Sequence, residues 1–333
     1  MGFVALATLS DQYVLVGSGL MSTIILCPGQ GAQTVSMGKL WSETSEASRS
    51  IFEQADEILG DSLGAPLSSL CFEGPADTLN RTDVSQPAIF AASAACFAGW
   101  LDSENITKKE LNITATAGLS LGEYTALYLA DAFSFADGLK LVALRGKAMQ
   151  EAAQAADSSM VALIGADEEK ANAVCDRARE SDILVAANFN APGQVVISGS
   201  SAACDRAEAV ASEMGMRATR LSVAGAFHSP FMSSAADQLA EALAATQINA
   251  TNCTVMSNVT ARPHESDSDE IRMRLVDQLT SPVRWAACCE HLVENNEGAQ
   301  FHELAPGKTL GGMMRRIHKG TKVQNHIEPA TVS

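Results

Sequence analysis

One stretch of the sequence, residues 112–133 (NITATAGLSLGEYTALYLADAF), constrains the possible folds more than any other. Residues 113–117 are mostly apolar or β-branched and predict a buried strand, and the residues after position 122 predict a helix. Between them, residues 118–122 read GLSLG and match G-x-S-x-G, the sharp turn that raises a serine between a strand and a helix. The stretch therefore indicates an α/β fold with Ser120 as a candidate nucleophile. The alternative is a glycine-bracketed helix cap in which Ser120 only caps.

The order of strands and helices divides the rest of the chain into a discontinuous core and an insertion. Residues 154–219 predict the order β-α-β-β-α-β, which is that of a ferredoxin-like α+β subdomain. Strands alternate with helices on either side of it, over residues 23–153 and 220–328. We expect these two segments to form one α/β-hydrolase-like catalytic core with a parallel sheet. Residues 1–22 are expected to be a leader, either the remainder of a trimmed segment or a poorly ordered one.

Charge and composition argue against several classes of function. A formal net charge of −16 disfavours binding to nucleic acid and to an anionic membrane surface, since both attract basic proteins. No uninterrupted apolar run reaches the roughly 18 residues that a membrane-spanning helix needs. The eight cysteines include no C-x-x-C pair and the six histidines no H-x-x-x-H pair. We therefore expect reduced core cysteines and no metal site.

A serine hydroxyl needs a base before it can attack an acyl group. His228, in GAFHSP at 225–230, follows a predicted strand and occupies a loop, from which its side chain can project into a cleft. The other histidines are interpreted as surface or capping residues: His264, in the polar run HESDSDE, and His291, His302, His318 and His326. A lone histidine is usually structural, so His228 is a candidate base only in combination with Ser120.

Six separated motifs occur along the chain. They are PGQGAQ at 28–33, GLSLGEY at 118–124, RGKAMQ at 145–150, NFNAPGQ at 188–194, GAFHSP at 225–230 and QLTSPVRW at 278–285. In these motifs and their order the chain resembles the malonyl-CoA:acyl carrier protein transacylases, the loading enzymes of dissociated fatty acid synthesis, from about residue 23 to about residue 317. Six motifs in one order are far more specific than any single motif.

The resemblance implies that a malonyl group moves from malonyl-CoA to the phosphopantetheine thiol of acyl carrier protein through a malonyl-serine intermediate. Ser120 would be the nucleophile, and His228 would take its proton and return it to the leaving thiolate. The backbone carbonyl of Gln278 would orient His228. The backbone amides of Leu121 and Gln30 would hold the oxyanion. No cofactor and no metal is implied.

Two further residues bear on the choice of acyl group. The planar fork of Arg145 can hold the free carboxylate of malonate with two parallel hydrogen bonds. The alternative is an arginine paired with Asp137 or Glu151 on a helix surface. Phe227, next to His228, is the kind of bulky neighbour that malonyl-selective relatives carry, and it would crowd a branched methylmalonyl group.

Malonyl-CoA and acyl carrier protein are the expected partners of a chain expected to be a monomer. Both partners are anionic, and one basic cluster near the C-terminus could receive one of them or be a solvated helix face: Arg315, Arg316, His318 and Lys319. Leu119 stands where the commonest bacterial members carry a histidine, and GEYTAL follows the serine, as in plastid-type members. A plastid or another organelle lumen is therefore the expected location, with the cytoplasm as the alternative.

Two other functions remain open from the sequence. A serine thioesterase or esterase of α/β-hydrolase type would need an acidic residue to complete a Ser…Asp/Glu…His set, and no acidic residue lies in a telling motif. An inactive carrier-protein-binding module descended from such enzymes is the second. The set of Ser120, His228, Arg145 and Gln278 argues against it.

Overall fold

The computed structural model describes residues 21–265 and 267–330. The leader expected at residues 1–22 lies, except for Met21 and Ser22, outside the described residues. The strands are β1 Thr23–Cys27, β2 Ile113–Gly118, β3 Ser158–Ile164, β4 Leu184–Ala191, β5 Gln194–Ser200, β6 Arg217–Arg220, β7 Thr254–Val255, β8 Gln300–Leu304 and β9 Val323–His326. The helices are α1 Lys39–Thr44, α2 Glu46–Leu59, α3 Leu67–Glu73, α4 Ala76–Leu79, α5 Thr82–Glu104, α6 Gly122–Leu129, α7 Phe135–Gln154, α8 Glu168–Ala178, α9 Ser201–Glu213, α10 Ser233–Ala245, α11 Ser268–Asp277, α12 Trp285–Asn295 and α13 Thr309–Ile317.

The larger sheet is parallel, in the order β7-β2-β1-β8-β9. Strand β1 (TIILC) is buried along its whole length, as expected for a central parallel strand covered on both faces. Its side chains alternate between two cores, because successive residues of a strand point to opposite faces. Ile25 and Cys27 join the core that includes α2, α5 and α7, whereas Ile24 and Leu26 join the core that includes α12 and α13.

The smaller sheet is antiparallel, in the order β4-β5-β3-β6. Helices α8 and α9 pack on one of its faces and build a separate core around Val161, Leu163, Val174 and Ile197. The opposite face, with Met160 and Val196, turns toward the larger unit and belongs to the main core. The prediction of an α/β fold with a parallel sheet and a second, antiparallel sheet is confirmed.

The two sheets are joined by direct backbone contacts. Phe189 N–H donates to the carbonyl of Val283 at 2.9 Å, and Val283 N–H donates to the carbonyl of Ala187 at 2.8 Å, so β4 is tied to the segment that precedes α12. The guanidinium of Arg316 on α13 donates to the carbonyl of Pro192 at 2.9 Å, in the turn between β4 and β5. These contacts fix the smaller sheet beside the carboxyl ends of β1 and β2 and leave a cleft between the two units.

Helix α5 lies at the centre of the main core. Within the described residues it is the one helix long and apolar enough to cross a membrane by length and composition, and 89% of its most apolar window is buried inside the protein. The core helix of a globular protein has the same properties. All eight cysteines are free, and seven of them are buried.

His302 does not have the surface or capping role that the sequence suggested. His302, on β8 between β1 and β9, is only 4% exposed. Its ring stacks on Trp100 with the ring centroids 4.7 Å apart. His302 Nδ1 lies 2.9 Å from His326 Nε2 on the adjacent strand β9. That interpretation was wrong for His302 because its polar ring pairs with another histidine inside the fold.

Candidate active site

The serine turn, residues 118–122, connects β2 to α6 and is as tight as the sequence suggested. Ser120 has a φ of 52°, in the left-handed region that non-glycine residues rarely occupy. A Cβ atom on Gly118 would lie 1.8 Å from the carbonyl carbon of Gly122, and one on Gly122 would lie 2.1 Å from the carbonyl oxygen of Cys27. Both positions therefore exclude a side chain, and Ser120 lines the cleft at the carboxyl end of β2.

His228 meets Ser120 across 108 residues of sequence. Its Nε2 lies 2.9 Å from Ser120 Oγ, and its Nδ1 lies 2.7 Å from the backbone carbonyl of Gln278. A carbonyl can only accept, so Nδ1 carries the proton and Nε2 is free to accept one from the serine. Within the described residues no carboxylate bonds the His228 ring, so a backbone carbonyl stands where a hydrolase of Ser-His-Asp type has an acid.

The imidazole of His228 is kept neutral by its surroundings. Burial and the neighbouring Arg145 guanidinium lower its pKa to about 4, although the hydrogen bond to Gln278 opposes that shift. A neutral imidazole is the form that can take a proton from a hydroxyl, so the site is ready to act as a base at neutral pH.

This pKa predicts the acid limb of the pH profile. We expect kcat/KM for malonyl-CoA to stay constant from neutral pH downward and to fall to half only near pH 4, since protonation of His228 removes the base. Stopped-flow measurements after a pH jump, with circular dichroism to confirm that the chain is folded at each pH, would test this. A midpoint near the ordinary histidine value of 6.5 would contradict it.

Arg145, on α7, is 1% exposed and points at the serine. Its Nη1 donates to Gln86 Oε1 at 2.7 Å, and its Nη2 donates to Gln278 Oε1 at 2.9 Å and to Ser120 Oγ at 3.0 Å. The guanidinium also lies over the ring of Tyr124, 5.5 Å from its centroid. All of these partners are neutral, so the positive charge is held in place without being cancelled.

The alternative of a surface ion pair for Arg145 is wrong. Asp137 accepts a hydrogen bond from Ser134 at the start of α7, and Glu151 lies 3.9 Å from Lys147. No carboxylate among residues 21–265 and 267–330 forms an ion pair with Arg145. A buried cation without a counter-ion, in contact with the candidate nucleophile, favours a substrate that brings its own negative charge.

The two backbone amides expected to hold an oxyanion are free to donate. Neither the Gln30 nor the Leu121 N–H makes a hydrogen bond to any residue that the structure describes. A Cβ atom on Gly29 would lie 2.2 Å from the carbonyl oxygen of Leu119, so the glycine allows the loop after β1 to pack directly against the serine turn. Leu121 caps the N-terminus of α6, where the helix dipole favours negative charge.

The cleft in front of these groups has a volume of about 420 Å³. Its floor is formed by the serine turn and the loop after β1, and α13 contributes Leu310 and Met313. One wall, from α7, the smaller sheet and the segment that follows β6, is mostly apolar and includes Phe227, which is 6% exposed. The apolar residues of this wall are Met149, Met160, Val196, Leu221, Val223 and Phe227. The cleft therefore joins a polar reacting end to an apolar wall.

Several residues at the site were not identified from the sequence. Gln86 holds Arg145, and Asn258 and Glu123 lie directly behind the serine turn. His264 was interpreted as a surface or capping residue, which is wrong: it is 7% exposed and its Nε2 lies 2.7 Å from Glu123 Oε1. The one sequence signal was the position of Glu123, a carboxylate in an otherwise apolar helix.

No group of three or more His, Cys, Asp or Glu side chains placed to hold a metal ion occurs in the described part of the chain. The basic cluster at the end of α13 lies on the surface, with Arg315 and Arg316 both exposed. The same helix reaches the cleft through Leu310 and Met313, so the cluster lies near the cleft rather than in it.

Known proteins share this fold and much of the sequence. A family model described as the acyl transferase domain matches residues 24–332. The malonyl CoA-acyl carrier protein transacylase of Haemophilus influenzae is 42% identical, covering 87% of this chain and 90% of its own. That of Bacillus subtilis is 40% identical, covering 92% of this chain and 94% of its own.

Solved structures agree with these matches. The malonyl CoA-acyl carrier protein transacylase from Coxiella burnetii has a TM-score of 0.86 at 32% identity, covering 93% of this chain and 95% of its own. A malonyl-transacylase in complex with a type II polyketide acyl carrier protein has a TM-score of 0.85 at 33% identity, covering 93% of this chain and 96% of its own. The chain belongs to the acyl transferase domain family and, within it, to the malonyl-CoA:acyl carrier protein transacylases.

Proposed function

We propose that this acyltransferase moves a malonyl group from malonyl-CoA to the phosphopantetheine thiol of acyl carrier protein by a ping-pong mechanism with a malonyl-Ser120 intermediate. One observation carries the proposal. A half-buried hydroxyl lies 2.9 Å from a neutral imidazole and 3.0 Å from a buried guanidinium that has no carboxylate partner among the described residues. The first contact provides an acyl-accepting nucleophile, and the second selects an acyl group that ends in a carboxylate.

In the first half-reaction, Ser120 Oγ attacks the thioester carbonyl carbon of malonyl-CoA while His228 Nε2 takes the hydroxyl proton. The negative charge that develops on the carbonyl oxygen is stabilised by the free N–H groups of Gln30 and Leu121. Collapse of this intermediate breaks the carbon–sulfur bond, and His228 returns the proton to the coenzyme A thiolate. The carbonyl of Gln278 keeps the imidazole in the required tautomer.

In the second half-reaction the same groups act in the reverse direction. The carrier's thiol gives its proton to His228 and attacks the malonyl ester, and Ser120 regains its proton as the ester breaks. Arg145 holds the malonyl carboxylate throughout. The acyl carbonyl oxygen therefore stays beside the N–H groups of Gln30 and Leu121 between the two half-reactions. Phe227, in the apolar wall beside His228, leaves little room for a methyl branch on the acyl group. Competition between methylmalonyl-CoA and malonyl-CoA reports that preference.

We also propose the more detailed description of the fold. The order β4-β5-β3-β6, with α8 and α9 on one face, supports a ferredoxin-like subdomain over residues 154–219. The parallel sheet with a strand–serine–helix turn supports an α/β-hydrolase-like core made from residues 23–153 and 220–328. In this arrangement the inserted subdomain contributes Met160 and Val196 to the apolar wall of the cleft, and the core supplies the rest of that wall and the reacting groups.

Acyl carrier protein is proposed to approach along α13, because its anionic surface is attracted to the exposed basic cluster there. Arg315 is the better residue for a test than Arg316, whose guanidinium fastens the turn between β4 and β5. We propose that the protein acts as a monomer without a membrane partner.

A transfer assay distinguishes this function from hydrolysis. With malonyl-CoA, we expect malonyl transfer to carrier protein that bears phosphopantetheine, none to the apo carrier that lacks the thiol, and parallel double-reciprocal plots. Arg315→Glu should raise KM for the carrier several-fold without slowing the formation of malonyl-Ser120, and Arg49→Glu, on the exposed face of α2, serves as the control. If free malonate accumulated at one rate with or without carrier, the protein would be a thioesterase.

A further inference from the structure

A buried polar cluster lies behind the serine turn and takes no part in the chemistry proposed above. It consists of Glu123 on α6, Asn258 in the loop after β7, and His264 shortly after it. Glu123 and Asn258 are 0% exposed and His264 is 7% exposed. Strand β7 pairs in parallel with β2, so its carboxyl end brings Asn258 next to the serine turn. Burying so many polar groups requires hydrogen bonds, and the partners of this cluster show what it holds.

Asn258 bonds both sides of the strained residue. Its Oδ1 accepts a hydrogen bond from the Ser120 N–H at 2.6 Å, and its Nδ2 donates one to the carbonyl of Gly118 at 2.8 Å. A residue at positive φ costs on the order of 1–3 kcal/mol and persists only where its surroundings enforce it. An amide side chain presents an acceptor and a donor side by side on one planar group, as these two backbone contacts require. Asn258 is therefore suited to hold Ser120 in its left-handed conformation.

Glu123 links this clamp to the residue that orients the base. Its Oε2 accepts hydrogen bonds from the Asn258 N–H at 3.1 Å and from Gln278 Nε2 at 2.6 Å. Gln278 in turn accepts from His228 through its backbone carbonyl and from Arg145 through its side chain. One buried carboxylate thus fixes, through two separate residues, the positions of the nucleophile and of its base.

His264 provides the charge that balances Glu123. Its Nε2 lies 2.7 Å from Glu123 Oε1, and its Nδ1 lies 3.3 Å from Glu270 Oε2. Both ring nitrogens face carboxylates, so both donate only if the ring is an imidazolium. Burial alone would lower the pKa of His264, but Glu123 and Glu270 outweigh it and raise that pKa. Because His264 neutralises Glu123, the charge of Arg145 is left for the substrate.

We propose that Asn258 and Glu123, with His264 as counter-ion, are positioning residues that keep Ser120 and His228 in reactive alignment. None of the three lines the cleft, and they act through the backbone of Ser120 and through Gln278. This inference deepens the proposed function and rests on it for the transfer reaction. The reactivity of the serine itself can be measured separately.

The test uses two readouts on the full chain. The first is kcat and KM for malonyl transfer, and the second is the rate at which phenylmethylsulfonyl fluoride modifies Ser120, followed by intact mass. The second needs an activated serine but no malonyl group. A wild-type chain whose Ser120 reacts with the fluoride but transfers no malonyl group would overturn the proposed function and leave the positioning role standing.

We expect Asn258→Ala to lower both kcat and the modification rate by about 10²-fold, the typical cost of a misplaced reacting group, with KM for malonyl-CoA little changed. Asn258→Asp keeps the oxygen that accepts from Ser120 and should fall between the wild type and alanine. Glu123→Gln should also lower kcat and the modification rate, because it weakens the hydrogen bond that holds Gln278, whose carbonyl orients His228. If Asn258→Ala does not accumulate as folded protein, the other two variants provide the comparison.

Ser48→Ala is the matched control, because Ser48 is also fully buried, donates to the carbonyl of Ala95 at 2.7 Å and does not line the cleft. It should lose thermal stability and keep both rates. If the Asn258 and Glu123 variants also lost only stability, with the modification rate of Ser120 unchanged, the cluster would be structural and the inference would be wrong.

Discussion

Replacing His228 by alanine is expected to slow malonyl transfer by about 10⁴- to 10⁶-fold, the loss seen when the base of a serine nucleophile is removed. The reason is geometric. His228 Nε2 is 2.9 Å from Ser120 Oγ, and no other side chain that the structure describes could take that proton, since the remaining polar contact of the oxygen is a cation. Rapid-quench measurement of malonyl-CoA consumption in a single turnover would give the rate of the affected step.

A variant that lacks both Ser120 and His228 tests their pairing more strictly than either single variant does. Ser120 and His228 act as one unit, so the double variant should be no slower than the Ser120→Ala variant. His291→Ala, a half-buried histidine on α12 that belongs neither to the cleft nor to the basic cluster, is the matched control and should have wild-type activity. Multiplicative losses in the double variant would show that the two residues act independently and would contradict the assignment of His228 as the base.

Arg145→Ala is expected to lower kcat/KM for malonyl-CoA by about 10²- to 10⁴-fold while acetyl-CoA turnover survives or rises. Two charge-assisted hydrogen bonds to a carboxylate are worth about 3–6 kcal/mol together, which sets this range. Acetyl-CoA has no carboxylate, so its acyl group loses no hydrogen bond when the guanidinium is missing. Because Arg145 also contacts Ser120 and Gln278, the decisive quantity is the ratio of the malonyl rate to the acetyl rate in the same variant.

Arg145→Lys separates charge from shape. Lysine keeps the positive charge but lacks the planar fork, so the malonyl/acetyl ratio should lie between those of the wild type and the alanine variant. A circular dichroism melt of each variant shows whether the helix packing around α7 is preserved. Equal losses for malonyl-CoA and acetyl-CoA would show that Arg145 supports the serine and does not bind the substrate carboxylate.

The features that could be predicted from the sequence are those that local pattern determines. The serine turn could be predicted because the strand, the glycines and the helix lie within about twenty consecutive residues. Tertiary contacts did not change the local structure that those residues favour. The alternation of strands and helices in the insertion was readable for the same reason. The pairing of Ser120 with His228 depended on the resemblance to a family, since no spacing rule connects residues 108 positions apart.

The polar support of the site could not be predicted, because its burial is decided by contacts between distant segments. His264 opens a polar run, HESDSDE, that looks solvated by composition, and its partner Glu123 lies 141 positions away. Nothing in the local sequence distinguishes Asn258 from other loop residues, because only the pairing of β7 with β2 brings it next to the serine turn. For Arg145, a surface ion pair was a reasonable local alternative, and only the packing of α7 against α5 placed the guanidinium inside the fold.

Intact mass spectrometry after mixing the full chain with malonyl-CoA, without carrier protein, tests the central claim most directly. We expect the mass of one malonyl group to be gained, peptide mapping to place it on Ser120, and carrier protein bearing phosphopantetheine to remove it. Ser120→Ala should gain no mass. A malonyl group on another residue, or transfer to the carrier by a Ser120→Ala chain at the wild-type rate, would contradict the account.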